Sequence, residues 1–331
     1  MHGATGIGSL PGTDPDEAAR IVVGELPDLP HLAELPARGV GADLIGRTAG
    51  LLVDLAVEVV TSGYRVTAKP GKDHRRAVDL LRRDLDAFEE ALERAGAQPS
   101  VVKVQAAGPW TLTAGIELMR GHRVLTDRGA LKEFAESLTE GLRQHVREVA
   151  KRTGAKVVVQ LDEPGLPAVL NGLLPTPSKL GTVPPVPEPE ARALLAGVID
   201  GFEDVIVHCC APKPPLTLLR EAGASAIAFD ATLIKGTDSL DELGETFEAG
   251  TRLLLGLVPS TDPGRPVTLK EVAAPAFELV DRLGFPRSTL AEQAIPTPTC
   301  GLAGAKQSWV MRALSLSRDL ASAFSEPPEG W

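Results

Sequence analysis

Two cysteines and a histidine share one hexapeptide of this chain, VHCCAP at 207–212, and a third cysteine follows much later in PTPTCGLAGAK. The chain has only three cysteines and six histidines, so a shared position is informative. Thiols and an imidazole can bind a metal, form a redox pair, or pack as apolar core. In an extended segment, residues i and i+2 share a face. His208 and Cys210 then point at one ion while Cys209 turns away into packing. Cys300 reaches in from a later strand, and Asp230 offers a fourth, weaker oxygen ligand. Sulfur, imidazole nitrogen and carboxylate are the donors zinc takes in a tetrahedron. A vicinal Cys209–Cys210 disulfide would close a strained ring. Three cysteines in 331 residues make no disulfide framework. Buried, inert thiols are the remaining alternative.

Such donors need elements to position them. Short β-rich runs fall at 5–9, 64–68, 101–107, 155–162, 204–209, 224–230, 251–258 and 288–295. Helical patterns lie between them, among them ADLIGRTAGLLVDLAVEVV (42–60), HRRAVDLLRRDLDAFEEALERAG and LAGAKQSWVMRALSLSRDLASAF. Eight strands alternating with helices predict an α/β fold, a single (β/α)8 TIM barrel over residues 1–331. A doubly wound sheet is the alternative, but no GxGxxG follows the first strand and no Walker loop occurs. The Pro-rich stretch 173–190 reads as a long loop within the one domain. In such a barrel, chemistry sits where strands end. Those ends carry Ser9, Gln105, Asp162 with Glu163, His208 with Cys210, Asp230, and Cys300.

Composition narrows the function classes. The net charge of −10 argues against a nucleic-acid surface. No apolar stretch reaches the roughly 20 residues that span a bilayer, and the N-terminus has no signal-peptide pattern. A cytoplasmic protein with no membrane partner is expected.

GIGSLPGT, AAGPWTL, VQLDEPGL, VHCCAP and PTPTCGLAGAK occur in the order and spacing of a known family. Over residues 6 to about 312 the chain resembles the C-terminal catalytic half of cobalamin-independent methionine synthase, in the superfamily of uroporphyrinogen decarboxylase and the corrinoid-dependent methyltransferases. The resemblance implies a zinc-dependent S-methyltransferase that makes methionine from homocysteine. It matches His208, Cys210 and Cys300 to zinc ligands, and Asp230 to a ligand that is a glutamate in the family. It implies that Asp162 holds the substrate amine and does not bind the metal, that Ser9 lies near the carboxylate, and that Glu34 is a second carboxylate at the amine. The family's folate-packing tryptophan falls on Gly115, and Trp110 is an alternative flat surface. The full family enzyme carries an extra N-terminal barrel and is about twice as long. The methyl donor is methyltetrahydrofolate or a corrinoid carried by a partner protein, and these departures favour a corrinoid or simple methyl donor. The competing readings are a corrinoid-dependent methyltransferase for another thiol, a metal-free decarboxylase and a non-catalytic thiol- or metal-binding protein. The decarboxylase would need arginines near an N-terminal motif that is acidic here.

Overall fold

A computed structural model describes residues 3–326. Nine strands occur among them: β1 (Ala56–Val60), β2 (Gly63–Thr67), β3 (Val101–Ala107), β4 (Ile116–Glu117), β5 (Lys156–Asp162), β6 (Val205–His208), β7 (Ala226–Asp230), β8 (Arg252–Val258) and β9 (Ala294–Pro298). Six of them form one parallel sheet in the order β3-β5-β6-β7-β8-β9. Helices connect consecutive strands, as parallel pairing requires.

The sheet is apolar on both faces, and period two divides its residues cleanly. Val159, Leu161, Val205, Val207, Ile227, Phe229, Leu253 and Leu255 join the large core under the helices. The alternate residues Val158, Ile206, Ala226, Ala228, Leu254 and Ile295 form a separate small cluster. Continuing those alternate positions toward the strand ends gives Gln160 and Asp162 on β5 and His208 on β6. The inner apolar cluster is therefore the floor on which the polar side chains stand.

Before β3, two extended segments run alongside. Ser9 bridges Glu34 in parallel, with Glu34 N–H donating to Gly8 O at 3.1 Å and Leu10 N–H to Glu34 O at 2.8 Å. His31 bridges Lys103 in parallel, with Leu32 N–H donating to Lys103 O at 2.9 Å. At the other edge, Thr5 N–H donates to Pro296 O at 3.4 Å.

Three sequence expectations need correction. Residues 64–68 do not enter the parallel sheet: β2 pairs antiparallel with β1 and in parallel with β4, as a separate three-stranded sheet. The helix expected over 42–60 stops at Ala49, and its tail is strand β1. Gly50 follows that short helix, and the β-branched residues of AVEVV favour a pleated strand. The strand expected at 288–295 begins instead at Ala294, because Ser288–Gln293 is a helical turn. The helices flanking the site follow their end signals. Asp14, Asp43, Asp127 and Thr268 cap helix N-termini, and Gly96, Gly154 and Gly284 end helices in the left-handed conformation.

Candidate metal and substrate site

β6 ends at His208, and the backbone stays paired one residue further, Cys209 N–H donating to Ala228 O at 2.9 Å. Extended geometry therefore continues through the two cysteines. Cys209 turns outward into the main core and is fully buried. His208 and Cys210 face the interior together. Cys300 follows β9, and its Sγ lies 2.9 Å from that of Cys210. A ring nitrogen of His208 and the two sulfurs all lie within 4.8 Å of one another.

Asp162 ends β5 and is the register partner of His208. Its Oδ1 accepts from His208 Nδ1 at 2.7 Å and from Gln160 Nε2 at 2.8 Å. A carboxylate oxygen only accepts, so Nδ1 carries the hydrogen and Nε2 is the nitrogen left for a metal. His208 Nε2 is buried and has no hydrogen-bond partner among the described residues. Two soft sulfurs and an imidazole nitrogen, with a carboxylate behind the imidazole, fit zinc.

The electrostatics fit the same donors. Burial disfavours charge on His208, but its bond to Asp162 and the nearby Cys300 sulfur outweigh this and push its pKa up to about 9. Its contact with Cys210, together with His208, holds the Cys300 thiol below the ordinary thiol range. The bond to Cys300 and burial push Cys210 in the opposite direction.

A cavity of about 180 Å³ opens beside the trio. Asp162, His208, Cys210, Cys300, Ser9 and Glu34 all line it, with Pro36, Ala42 and Leu44 forming an apolar wall. Burial raises the Glu34 carboxyl to about 7, against the pull of Arg47, whose Nε lies 3.7 Å from Oε1. Arg47 also pairs with Asp84, which Arg38 holds at 2.7 Å. Gly301 keeps room for Ser9: a Cβ there would fall 2.0 Å from the hydroxyl oxygen. Leu302 N–H donates to Ser9 O at 2.7 Å and ties this end to the Cys300 loop.

Two expected residues lie elsewhere. Trp110 is fully buried, its indole N–H donating to Ala191 O at 3.0 Å, so it presents no face to a ligand. Its position after β3, under the helices, explains this. Asp230 ends β7, but its Oδ1 accepts from Thr232 N–H at 2.9 Å and the Thr232 hydroxyl at 2.6 Å, capping a 3-10 turn. It is not one of the three converging donors. Gln105, also at a strand end, pins Leu32 O at 2.9 Å. Glu163 is fully buried and accepts from Trp110 N–H, Thr111 N–H and the Thr111 hydroxyl, in space kept by Gly108.

Sequence reasoning missed Lys103 and Gln160. Lys103 is fully buried on β3 and donates to Gln160 Oε1 at 2.6 Å and Ile7 O at 3.0 Å. A lone lysine inside the apolar run VVKVQAA was the available signal.

These features define an α/β enzyme fold whose polar side chains gather at the C-terminal ends of parallel strands. Over residues 1–323 the chain matches the family described as cobalamin-independent synthase, catalytic domain, and it belongs to that family. Membership makes it an S-methyltransferase of the methionine synthase type. A B12-independent methionine synthase from Shewanella sp. W3-18-1, solved in complex with selenomethionine, shares its fold, with TM-score 0.60, 13% identity and 98% of each chain covered. A GH113 β-mannanase from Alicyclobacillus acidocaldarius aligns with TM-score 0.44, 16% identity, 98% of this chain and 96% of that one. A search of curated protein sequences gives no significant match. No helix among the described residues is long and apolar enough to cross a membrane.

Proposed function

We propose that the chain methylates the sulfur of homocysteine with zinc held by His208, Cys210 and Cys300. The observation that carries this reading is the meeting of those three donors with Asp162, Glu34 and Ser9 in one cavity. Bound zinc lowers the pKa of a coordinated thiol while leaving the sulfur nucleophilic at neutral pH. Three protein donors are what a catalytic zinc site uses, with a place left for substrate. Asp230, engaged with Thr232, is not needed among them.

The chain's own residues do the rest. Asp162 Oδ1 holds the His208 ring, and Oδ2, which makes no hydrogen bond among the described residues, receives the substrate ammonium together with Glu34. Ser9 receives the substrate carboxylate. Pro36, Ala42 and Leu44 exclude water from the carbon chain. Fixing the amino-acid end aims the sulfur at an incoming methyl group and removes much of the entropic barrier.

The same reading takes the sheet as a closed eight-stranded barrel forming one catalytic unit. Support comes from the bridges Ser9–Glu34 and His31–Lys103 and from Thr5 on Pro296, which supply strands one and two between β9 and β3.

A corrinoid or simple methyl donor is favoured over polyglutamyl methyltetrahydrofolate. Trp110 is buried, and a Cβ at Gly115 would already lie 2.8 Å from Ile45 Cδ1, so neither position offers an aromatic platform. The net charge of −10 also repels a polyanionic tail. The test is methionine formation by zinc-loaded protein from homocysteine with methylcobalamin or with methyltetrahydrofolate. Turnover with methyltetrahydrofolate alone defeats the donor preference, and no methionine with either donor defeats the function.

A further inference from the structure

We propose that Lys103 and Gln160 are positioning residues that fix Asp162 and, through it, the His208 ring. The inference rests on the zinc reading above. Neither side chain lines the cavity, and both are fully buried.

Donor and acceptor types fix this arrangement. An ammonium has only donors. The end of the Gln160 amide that meets Lys103 Nζ at 2.6 Å must therefore be the carbonyl. The amino end then lies between two groups that only accept: Ile7 O at 2.8 Å and Asp162 Oδ1 at 2.8 Å. Ile7 O also accepts from Lys103 at 3.0 Å and so fixes the lysine's own position. Turning the amide over would set N–H against N–H at one end and oxygen against oxygen at the other. Lys103 at one end and the two acceptors at the other thus select the amide orientation, the amide holds Asp162 Oδ1 in place, and that oxygen dictates which His208 nitrogen bears hydrogen.

Packing alone does not call for a lysine here. Its neighbours Val102 and Val104 join the main core on the other face of β3, and an apolar side chain would fill the inner position without an ammonium to desolvate. The polar chain Lys103–Gln160–Asp162–His208 runs from the floor of the sheet to the metal donors. Residues behind a metal ligand typically change affinity by about 10–100-fold when removed.

The experiment measures zinc affinity by chelator competition on the full chain, for wild type, Lys103→Met, Gln160→Met and the double variant. Thermal melts are run in parallel. Each single substitution is expected to weaken zinc binding about 10–100-fold. The double variant is expected to be no weaker than the weaker single one, because Lys103 acts through Gln160. A role in packing alone would alter the melting temperature and leave zinc affinity unchanged, and that result overturns the proposal. Losses that multiply in the double variant also overturn it. If Gln160→Met does not fold, Lys103→Met decides alone, since it replaces the buried amine with an apolar side chain and adds no polar group. A wild type that binds no zinc would instead remove the zinc reading, and this inference with it.

Discussion

Asp162 and His208 are register partners on adjacent parallel strands, and Oδ1 meets Nδ1 at 2.7 Å. The carboxylate therefore holds the imidazole through Oδ1 while the same residue lines the cavity. This gives Asp162 a task beyond the amine contact that the family resemblance implies. Asp162→Ala should weaken homocysteine binding by roughly 1.5–3 kcal/mol through loss of a charge-assisted hydrogen bond. It should also lower zinc affinity about 10–100-fold while sparing the ligands themselves. Calorimetry with homocysteine and chelator competition with zinc read the two effects separately. A variant altered in neither removes Asp162 from the site.

Zinc content should follow the direction of each thiol. Cys210→Ser and Cys300→Ser should lose most of about one zinc per chain, because each removes one of three protein donors. Cys209→Ser should keep its zinc, since that side chain is buried in the core beneath the helices. Asp230→Ala should keep it as well, because that carboxylate caps a turn. Elemental analysis of the purified variants checks all four. Full zinc in both Cys210→Ser and Cys300→Ser would end the donor assignment.

Metal uptake should release protons in a defined number. In the metal-free site His208 stays protonated up to about 9, Cys210 is a thiol, and Cys300 is already shifted toward thiolate. Zinc must displace the protons of the first two, so about two protons leave per ion at neutral pH. Affinity should rise with pH and rise less steeply above about 9, where His208 is neutral and only the Cys210 proton is left to displace. Calorimetry in buffers of different ionisation enthalpy counts the protons. A count near three would mean that Cys300 begins as a thiol.

Glu34 should give substrate binding a pH dependence of its own. Burial raises its carboxyl to about 7, and only the ionised form attracts an ammonium. Homocysteine KM should therefore increase as pH falls through 7. Glu34→Gln should raise KM throughout and abolish that inflection. A profile that keeps the inflection in Glu34→Gln assigns it to another group.

The sequence revealed the site more fully than the scaffold. The i, i+2 geometry of His208 and Cys210 was readable because a parallel strand alternates its faces, and the outward turn of Cys209 followed from the same rule. Ser9, Glu34 and Asp162 were placed by resemblance to a family. Their meeting in one cavity needed the fold, since they lie on three separate segments. The extended segment at 31–34 was not legible: it pairs in parallel with its neighbours only through isolated bridges and shows no long β-rich run. The AVEVV strand was hidden because its neighbours continue a helical pattern. Trp110 was misjudged because burial under the helices is a tertiary fact. Lys103 stood in plain view, but its partner Gln160 lies on another strand and is found only through the register.

Substrate sulfur joining the protein donors at zinc is the central claim, and X-ray absorption at the zinc edge addresses it directly. Zinc-loaded protein should show two sulfur ligands from Cys210 and Cys300 and one imidazole from His208. Adding homocysteine should raise the sulfur count to about three at the usual zinc–thiolate distance of about 2.3 Å. A count that stays at two in protein saturated with homocysteine would contradict thiol activation at this site.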